Sequence, residues 1–301
     1  MPFVYAAIVA LWWFLDPTPA YAWGPGTHLE IALTVLKHTA WVAPAVRQLM
    51  ANYPAEFIYG NVSPDIILGK KYAGPKFHCH NWAIGKLILE EALNDGDRAA
   101  AWGYLTHLAA DCVAHNYFVP QKIIQSYPHR TLGHAYWEMR FDLHVPDACW
   151  KQLGTVIHHD YHSFDYLLER VLKKTLFSFR TNKKIFNSIL ILHRMKRLRF
   201  GLRTYAKASQ WALRPGDVRH FRELTLETVK DFLSHPKSAR CLKADPAGIR
   251  KLQYAFEMEK EMRKKLRQGE TPKQKLTQSA EKMELALEKG LFDSSMALPV
   301  L

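Results

Sequence analysis

Cysteine is scarce in this 301-residue sequence and poorly placed for sulfur chemistry: there are four, at positions 79, 112, 149 and 241, with no Cys-x-x-Cys pair. That argues against a thiolate-ligated zinc module, whose ligands come in close pairs, and leaves disulfide pairing unassigned. Cys112 reads as a small buried hydrophobe rather than a ligand. A glycine-rich phosphate loop, a nucleophile elbow and an internal repeat are also missing, which removes P-loop nucleotide hydrolysis, serine-hydrolase chemistry and solenoid folds from consideration. Net positive charge is absent from the first half. Residues 1–150 hold 10 Lys and Arg against 12 Asp and Glu, whereas residues 151–301 hold 31 against 16, so the formal +13 of the chain resides in its second half. The basic half is expected to meet something anionic: a membrane surface, a nucleic acid or an acidic partner.

The apolar run from Phe3 to Leu15 is too short to span a bilayer comfortably, and it ends in a proline-rich stretch and the small-x-small tripeptide Ala20-Tyr21-Ala22. Residues 1–22 therefore read as a secretory signal peptide, although Lys and Arg are missing from its start; an uncleaved anchor is the alternative. Cleavage after Ala22 makes Trp23 the first residue of the exported, secreted or periplasmic chain. A free α-amine, unlike an internal amide, loses its proton to a metal readily. Trp23 can then chelate through its backbone, with His28 a turn further on.

The stretch from Tyr104 to Tyr117 contains no helix breaker, and His107, Asp111 and His115 recur in it every four residues. At about 100° per residue, eight residues drift by roughly 80°, so the three side chains share one helical face. Two imidazoles and a carboxylate on one stripe suit a divalent metal of the zinc type. A core helix with hydrogen-bonded polar residues is an equally open reading of this motif alone.

Other segments offer similar groups. Between Tyr59 and Ile67, Gly60 and Pro64 mark a turn that presents Asp65 from a loop or first helical turn. His78 and His80 precede a helix predicted over about Trp82 to Asn94. After a loop opened by Pro128-His129, His134 and Glu138 stand at i and i+4, a same-face pair. Taken singly, each has a bland explanation as a cap or solvated face. Together these segments supply too many ligands for one metal and enough for a cluster.

In this order and combination the residues resemble the zinc-dependent phospholipase C family, part of the superfamily that includes the S1/P1-type nucleases. The resemblance covers about residues 23–145. It rests on Trp23-Gly24 with His28, Pro64-Asp65, His80 before Trp82, His107-x3-Asp111, His115, and His134-x3-Glu138. It implies an all-α, multi-helix bundle around about three zinc ions, exported from the cell and hydrolysing phospholipid head groups with metal-activated water. One zinc takes Asp65, His80, His107 and Asp111, with His78 as the alternative to His80. A second takes His115, His134 and Glu138, and a third the Trp23 backbone, His28 and Asp111. Asp65 is also the implied general base. The sequence departs from the bacterial enzymes and nucleases in having three residues, not five, between Asp111 and His115. That spacing is similar to the catalytic domain of glycosylphosphatidylinositol-specific phospholipase D, which leaves D-type cleavage or a nuclease as alternatives. A zinc-stabilised membrane-binding protein without turnover is a third.

Between Tyr166 and Tyr205 apolar and basic residues alternate at helical spacing, which fits helices lying on anionic lipid or packing against the metal domain. The group His158-His159-Asp160-Tyr161-His162 reads as a connection between helices. Beyond Pro246 the charged pattern predicts a solvent-exposed helix around Glu257, interrupted at Gly269 to Pro272, and another over Lys273–Lys289. The organisation expected is a signal peptide over 1–22, a helical zinc domain over 23–235 and a charged helical extension over 236–301. Phospholipid is the expected substrate and an anionic membrane the expected surface partner; nucleic acid is less favoured.

Overall fold

Proline opens the first three α-helices of the described residues: α1 (Pro25–Lys37), α2 (Pro44–Asn52) and α3 (Pro54–Val62) each carry it in the first turn, where its missing N–H breaks no intrahelical bond. The computed structural model describes residues 23–67, 78–128, 133–172, 177–208, 211 and 213–301; the expected signal segment 1–22 and the loop positions 129–132 lie outside these. A 3-10 turn, Ser63–Ile66, follows α3 directly. Next come α4 (Trp82–Glu90), capped by Asn81, and α5 (Asp95–Val113), capped by Asn94. A π-turn over Ala114–Phe118 joins α5 to α6 (Val119–Gln125). The chain continues through α7 (His134–Asp142), α8 (Asp147–His158), α9 (His162–Val171), α10 (Phe179–Arg194) and α11 (Lys196–Ala208). It closes with α12 (Pro215–Ser234), α13 (Ile249–Gln268) and α14 (Lys273–Lys289). The protein is all-α, with no strand among the described residues.

The molecule is built around α5, which is buried from Ala99 to Val113 apart from Trp102. Helices α3, α4 and α12 pack around it. Small residues make this close crowding feasible: Ala99, Ala100, Gly103, Ala109 and Ala110 leave room for neighbouring backbones. The α3–α5 approach is closest at two glycines. A Cβ on Gly60 would lie 1.8 Å from the Ala100 carbonyl oxygen, and one on Gly103 would lie 2.1 Å from that of Phe57. Gly60 therefore belongs to a helix crossing rather than to the turn predicted from the sequence.

Three further predictions need correction. The helix starting at Trp82 stops at Glu90, because Asn94 begins a new one by accepting a hydrogen bond from the Asp97 amide at 2.8 Å. The helix from Tyr104 to Tyr117 is not uniformly α. Pro120 has no N–H for the Asn116 carbonyl, and the widened π-turn accommodates that missing bond four residues earlier. Finally, α13 is not solvent-exposed all round. Leu252, Ala255, Met258, Glu259 and Met262 form a buried stripe that packs on α6 and the π-turn.

Candidate metal centre

His107, Asp111 and His115 project from consecutive turns of α5 and its π-turn, and all three are buried. The 3-10 turn after α3 brings Asp65 to them, the segment before α4 brings His80, and α1 brings His28. His80 Nε2 lies 3.0 Å from Asp111 Oδ2, 3.5 Å from Asp65 Oδ1 and 3.0 Å from His107 Nε2. His107 Nε2 is 3.1 Å from the same Asp111 oxygen, and His28 Nε2 is 3.1 Å from the other one. The His28 and His107 rings stack with centroids 3.6 Å apart. A turn further along, His134 Nε2 meets Glu138 Oε1 at 2.7 Å and the His134 ring stands 4.9 Å from that of His115.

These side chains fall into three metal-competent groups, each with ligand atoms within 4.8 Å of one another: Asp65 with His80 and His107; His28 with His107 and Asp111; and His115 with His134 and Glu138. His78, Cys79 and His80 form a further such cluster. His80 points into the centre, while His78 Nδ1 accepts a hydrogen bond from the His80 backbone amide at 3.1 Å. Trp23 is wholly buried; its indole donates to the Ala110 carbonyl at 3.1 Å and stacks on Phe118, which sets residue 23 beside α5 one position before Asp111.

The donor set fits a divalent cation better than it fits a proton network. His107 Nδ1 lies 2.8 Å from the Asn61 carbonyl, to which it donates, so the neutral ring presents a bare Nε2 lone pair. That lone pair faces His80 Nε2 and a carboxylate oxygen. Burial is the main reason that the His107 imidazole is pulled down to about 4, so it does not relieve the conflict by taking a proton near neutrality. Burial raises Asp111, but the facing His107 and His28 imidazoles outweigh it and hold the carboxyl well below its usual range. Both Asp111 oxygens and both His28 nitrogens are buried without a hydrogen bond. A tetrahedral zinc with bonds of about 2.0 Å sets its ligand atoms about 3.3 Å apart, and the 3.0–3.1 Å distances around Asp111 are slightly shorter than that, with the 3.5 Å His80–Asp65 distance slightly longer.

Residues outside the expected ligand set hold it in place. His115 Nδ1 donates to the Pro246 carbonyl at 2.5 Å, which likewise aims Nε2 inward. Gly248, with φ +56°, permits that approach, since a Cβ there would lie 2.4 Å from His115 Cβ. Asp142, buried at the end of α7, accepts from the Gly26 and Thr27 amides at 2.9 Å and from the Thr27 hydroxyl at 2.6 Å. It thereby caps α1, whose own N-cap residue is Gly24, and fixes His28 against Asp111. Burial pushes the Asp142 carboxyl up to about 6, while the Thr27 and Gly26 hydrogen bonds pull it back. The i, i+4 series His134, Glu138, Asp142 was the one sequence signal for it. Nothing local in the sequence pointed to Pro246 or Gly248, which meet His115 from far along the chain. The His159 to His162 group takes no part in the three groups; His159 pairs with Glu56 at 3.2 Å on the surface.

Fold and site together define an all-helical protein with a buried, multi-histidine cluster whose groups could hold metal ions. The family model for zinc dependent phospholipase C matches residues 27–183, a span containing every side-chain ligand of the three groups. The chain belongs to that family. Its membership supports a phospholipid-hydrolysing function and zinc as the metal. No curated protein and no solved structure matches.

Proposed function

We propose that this protein is an exported, zinc-dependent phosphodiesterase that cleaves phospholipid head groups by phospholipase C-type hydrolysis. The observation that carries this reading is the convergence of three histidine–carboxylate groups on α5, inside a family match to zinc-dependent phospholipase C. Asp65, His80, His107 and Asp111 would hold one ion, and His115, His134 and Glu138 a second. The Trp23 backbone, His28 and Asp111 would hold a third once residues 1–22 have been removed. Bound zinc supplies Lewis-acid polarisation of the phosphoryl oxygens and lowers the pKa of a water nucleophile. The anionic oxygens of a diester repel nucleophiles, so concentrated positive charge addresses the main obstacle to attack.

The chain's own groups have separable tasks. Asp111 presents one oxygen to His28 and the other to His80 and His107, which suits a bridging ligand. The carbonyls of Asn61 and Pro246 fix the tautomers of His107 and His115. Asp65 acts as ligand and as general base, taking the proton from water on its carboxylate. Water adds to phosphorus, the glycerol oxygen leaves with a proton, and diacylglycerol and a phosphorylated head group result. The catalytic unit is assigned to residues 23–235, with 236–301 as a helical extension that closes over His115. The basic second half provides attraction to anionic membranes.

The deciding experiment combines zinc content of the mature protein with a substrate panel. Phosphocholine and diacylglycerol from phosphatidylcholine would support the proposal. Phosphatidic acid would point to D-type cleavage, which the short Asp111-x3-His115 spacing favours as second reading, and nucleotides to a nuclease. Asp65→Asn should abolish hydrolysis with limited zinc loss. Full activity in that variant would overturn the assigned role of Asp65.

A further inference from the structure

The consecutive helices α10 and α11, joined at Met195, present a surface that the protein's own packing leaves exposed. Residues 177–204 contain eight Lys and Arg and no Asp or Glu. The inner face is firmly held: Phe179, Phe186 and Leu190 are buried, and α10 packs on α8 and on the Ser63–Ile66 turn that carries Asp65. Some of the cations serve as anchors. Arg199 pairs with Asp147 at 3.1 Å and donates to the His193 carbonyl, Arg203 donates to the Leu143 carbonyl at 3.0 Å, and Lys183 pairs with Asp165.

The outer face is different. Lys184, Arg194, Lys196 and Arg197 are exposed, and so are Ile191, Met195 and Leu198, with Phe200 73 % exposed at the outer side of α11. An exposed phenylalanine costs solvation without return, and here it sits among aliphatic residues within a ten-residue stretch ringed by cations. No described helix is long and apolar enough to cross a membrane. Apolar side chains flanked by exposed basic ones on these two helices have the composition of an interfacial element, whose apolar groups enter the headgroup region while the cations meet lipid phosphates. The position is apt as well, because α10 rests directly on the turn presenting Asp65. The exposed junction, Ile191 to Phe200, lies beyond the family match, which ends at residue 183.

We infer that the outer face of the α10–α11 junction is the membrane-docking surface of this protein, and that it seats on an anionic phospholipid bilayer beside the Asp65 edge of the metal centre. This rests on the proposed lipid-directed function for its purpose, but its test does not need turnover. Flotation of the full mature protein carrying Asp65→Asn, so that lipid is not consumed, is compared on phosphatidylserine–phosphatidylcholine vesicles and on phosphatidylcholine alone. Binding should favour the anionic vesicles. Lys184→Glu with Arg197→Glu should weaken it more than tenfold, whereas the equal charge change Lys260→Glu with Lys264→Glu, at exposed positions on α13, should leave it within about twofold. Phe200→Ser should remove the binding that persists at high salt. Unchanged melting temperatures would establish that the exposed substitutions leave the fold intact; any variant that unfolds is replaced by Lys184→Gln with Arg197→Gln. Equal loss from both charge-reversed pairs, or full binding by the junction variant, would overturn the inference. With Asp65 restored, loss of activity on vesicles but not on a monomeric short-chain phospholipid supports docking. Absence of hydrolysis on both substrates would count against the proposed function and leave the flotation result standing.

Discussion

Gly103→Ala tests whether helix spacing or ligand identity limits the metal centre. The added methyl would stand 2.1 Å from the Phe57 carbonyl oxygen and 2.8 Å from the Asn61 amide nitrogen, where ordinary contact begins at 3.4 Å. Both atoms are rigid helix backbone, so α3 has to retreat from α5 by about 1.3 Å along the closer contact. The same retreat opens the 2.8 Å hydrogen bond between His107 and the Asn61 carbonyl beyond bonding distance. Overpacking of this kind costs about 1–3 kcal/mol and the lost hydrogen bond about 1 kcal/mol, which together correspond to a melting-temperature drop of roughly 3–7 °C for a chain of this size. Releasing His107 from its orienting carbonyl should weaken zinc binding by about 10–100-fold, although no ligand has been changed. Thermal unfolding by circular dichroism with and without zinc measures the first effect, and competition with a chromophoric chelator measures the second. Gly201→Ala on α11, where a Cβ meets nothing within 4 Å, is the control and should be neutral or slightly stabilising. A Gly103→Ala protein with wild-type melting and zinc affinity would refute the argument that the α3–α5 approach sets the geometry of His107.

Other substitutions probe the supporting residues. Gly248→Ala combines a positive φ with a clash against His115, and should cost about 2 kcal/mol or more and lower zinc stoichiometry at the His115, His134, Glu138 group, read by elemental analysis. Asp142→Asn sets an amide N–H against one of the donors of Gly26 and Thr27, so zinc should be lost first from the group containing His28 while the His115 group stays loaded. His193 is held at about 4, first by burial and then by Arg199, against an ordinary 6.5. The folded protein thus resists a proton that the unfolded chain accepts. Stability from this residue is constant above pH 6.5 and falls as the pH drops from 6.5 to 4, by about 3 kcal/mol at most. His193→Gln should flatten that part of the stability–pH curve in urea titrations, and an unchanged slope would show that other groups control it.

Ligand types were readable from the sequence because helical periodicity states which side chains share a face. His107, Asp111 and His115, and likewise His134 and Glu138, are neighbours on their elements whatever the fold does around them. The choice between His78 and His80 was not readable in this way, because it depends on how the chain enters α4. The π-turn was signalled by Pro120, yet the uniform four-residue spacing hid it. Gly60 looked like turn punctuation, since nothing local distinguishes a glycine in a turn from one at a helix crossing.

The sequence by itself determined the all-helical class, the inventory of metal-type side chains and the separation of a near-neutral first half from a strongly basic second half. These depend on residue type and short-range spacing alone. Only the tertiary structure decided that His28, Asp65, His80 and Asp111 converge on one point and that Asp142 holds the start of α1. It also decided that the Pro246 carbonyl orients His115, and that part of the basic half anchors α10 and α11 while the rest faces outward. The convergence on α5 and the orientation of His115 depend on close packing at Gly60, Gly103 and Gly248, where contacts join residues forty or more positions apart. Such contacts follow from shape and burial, which no local pattern encodes.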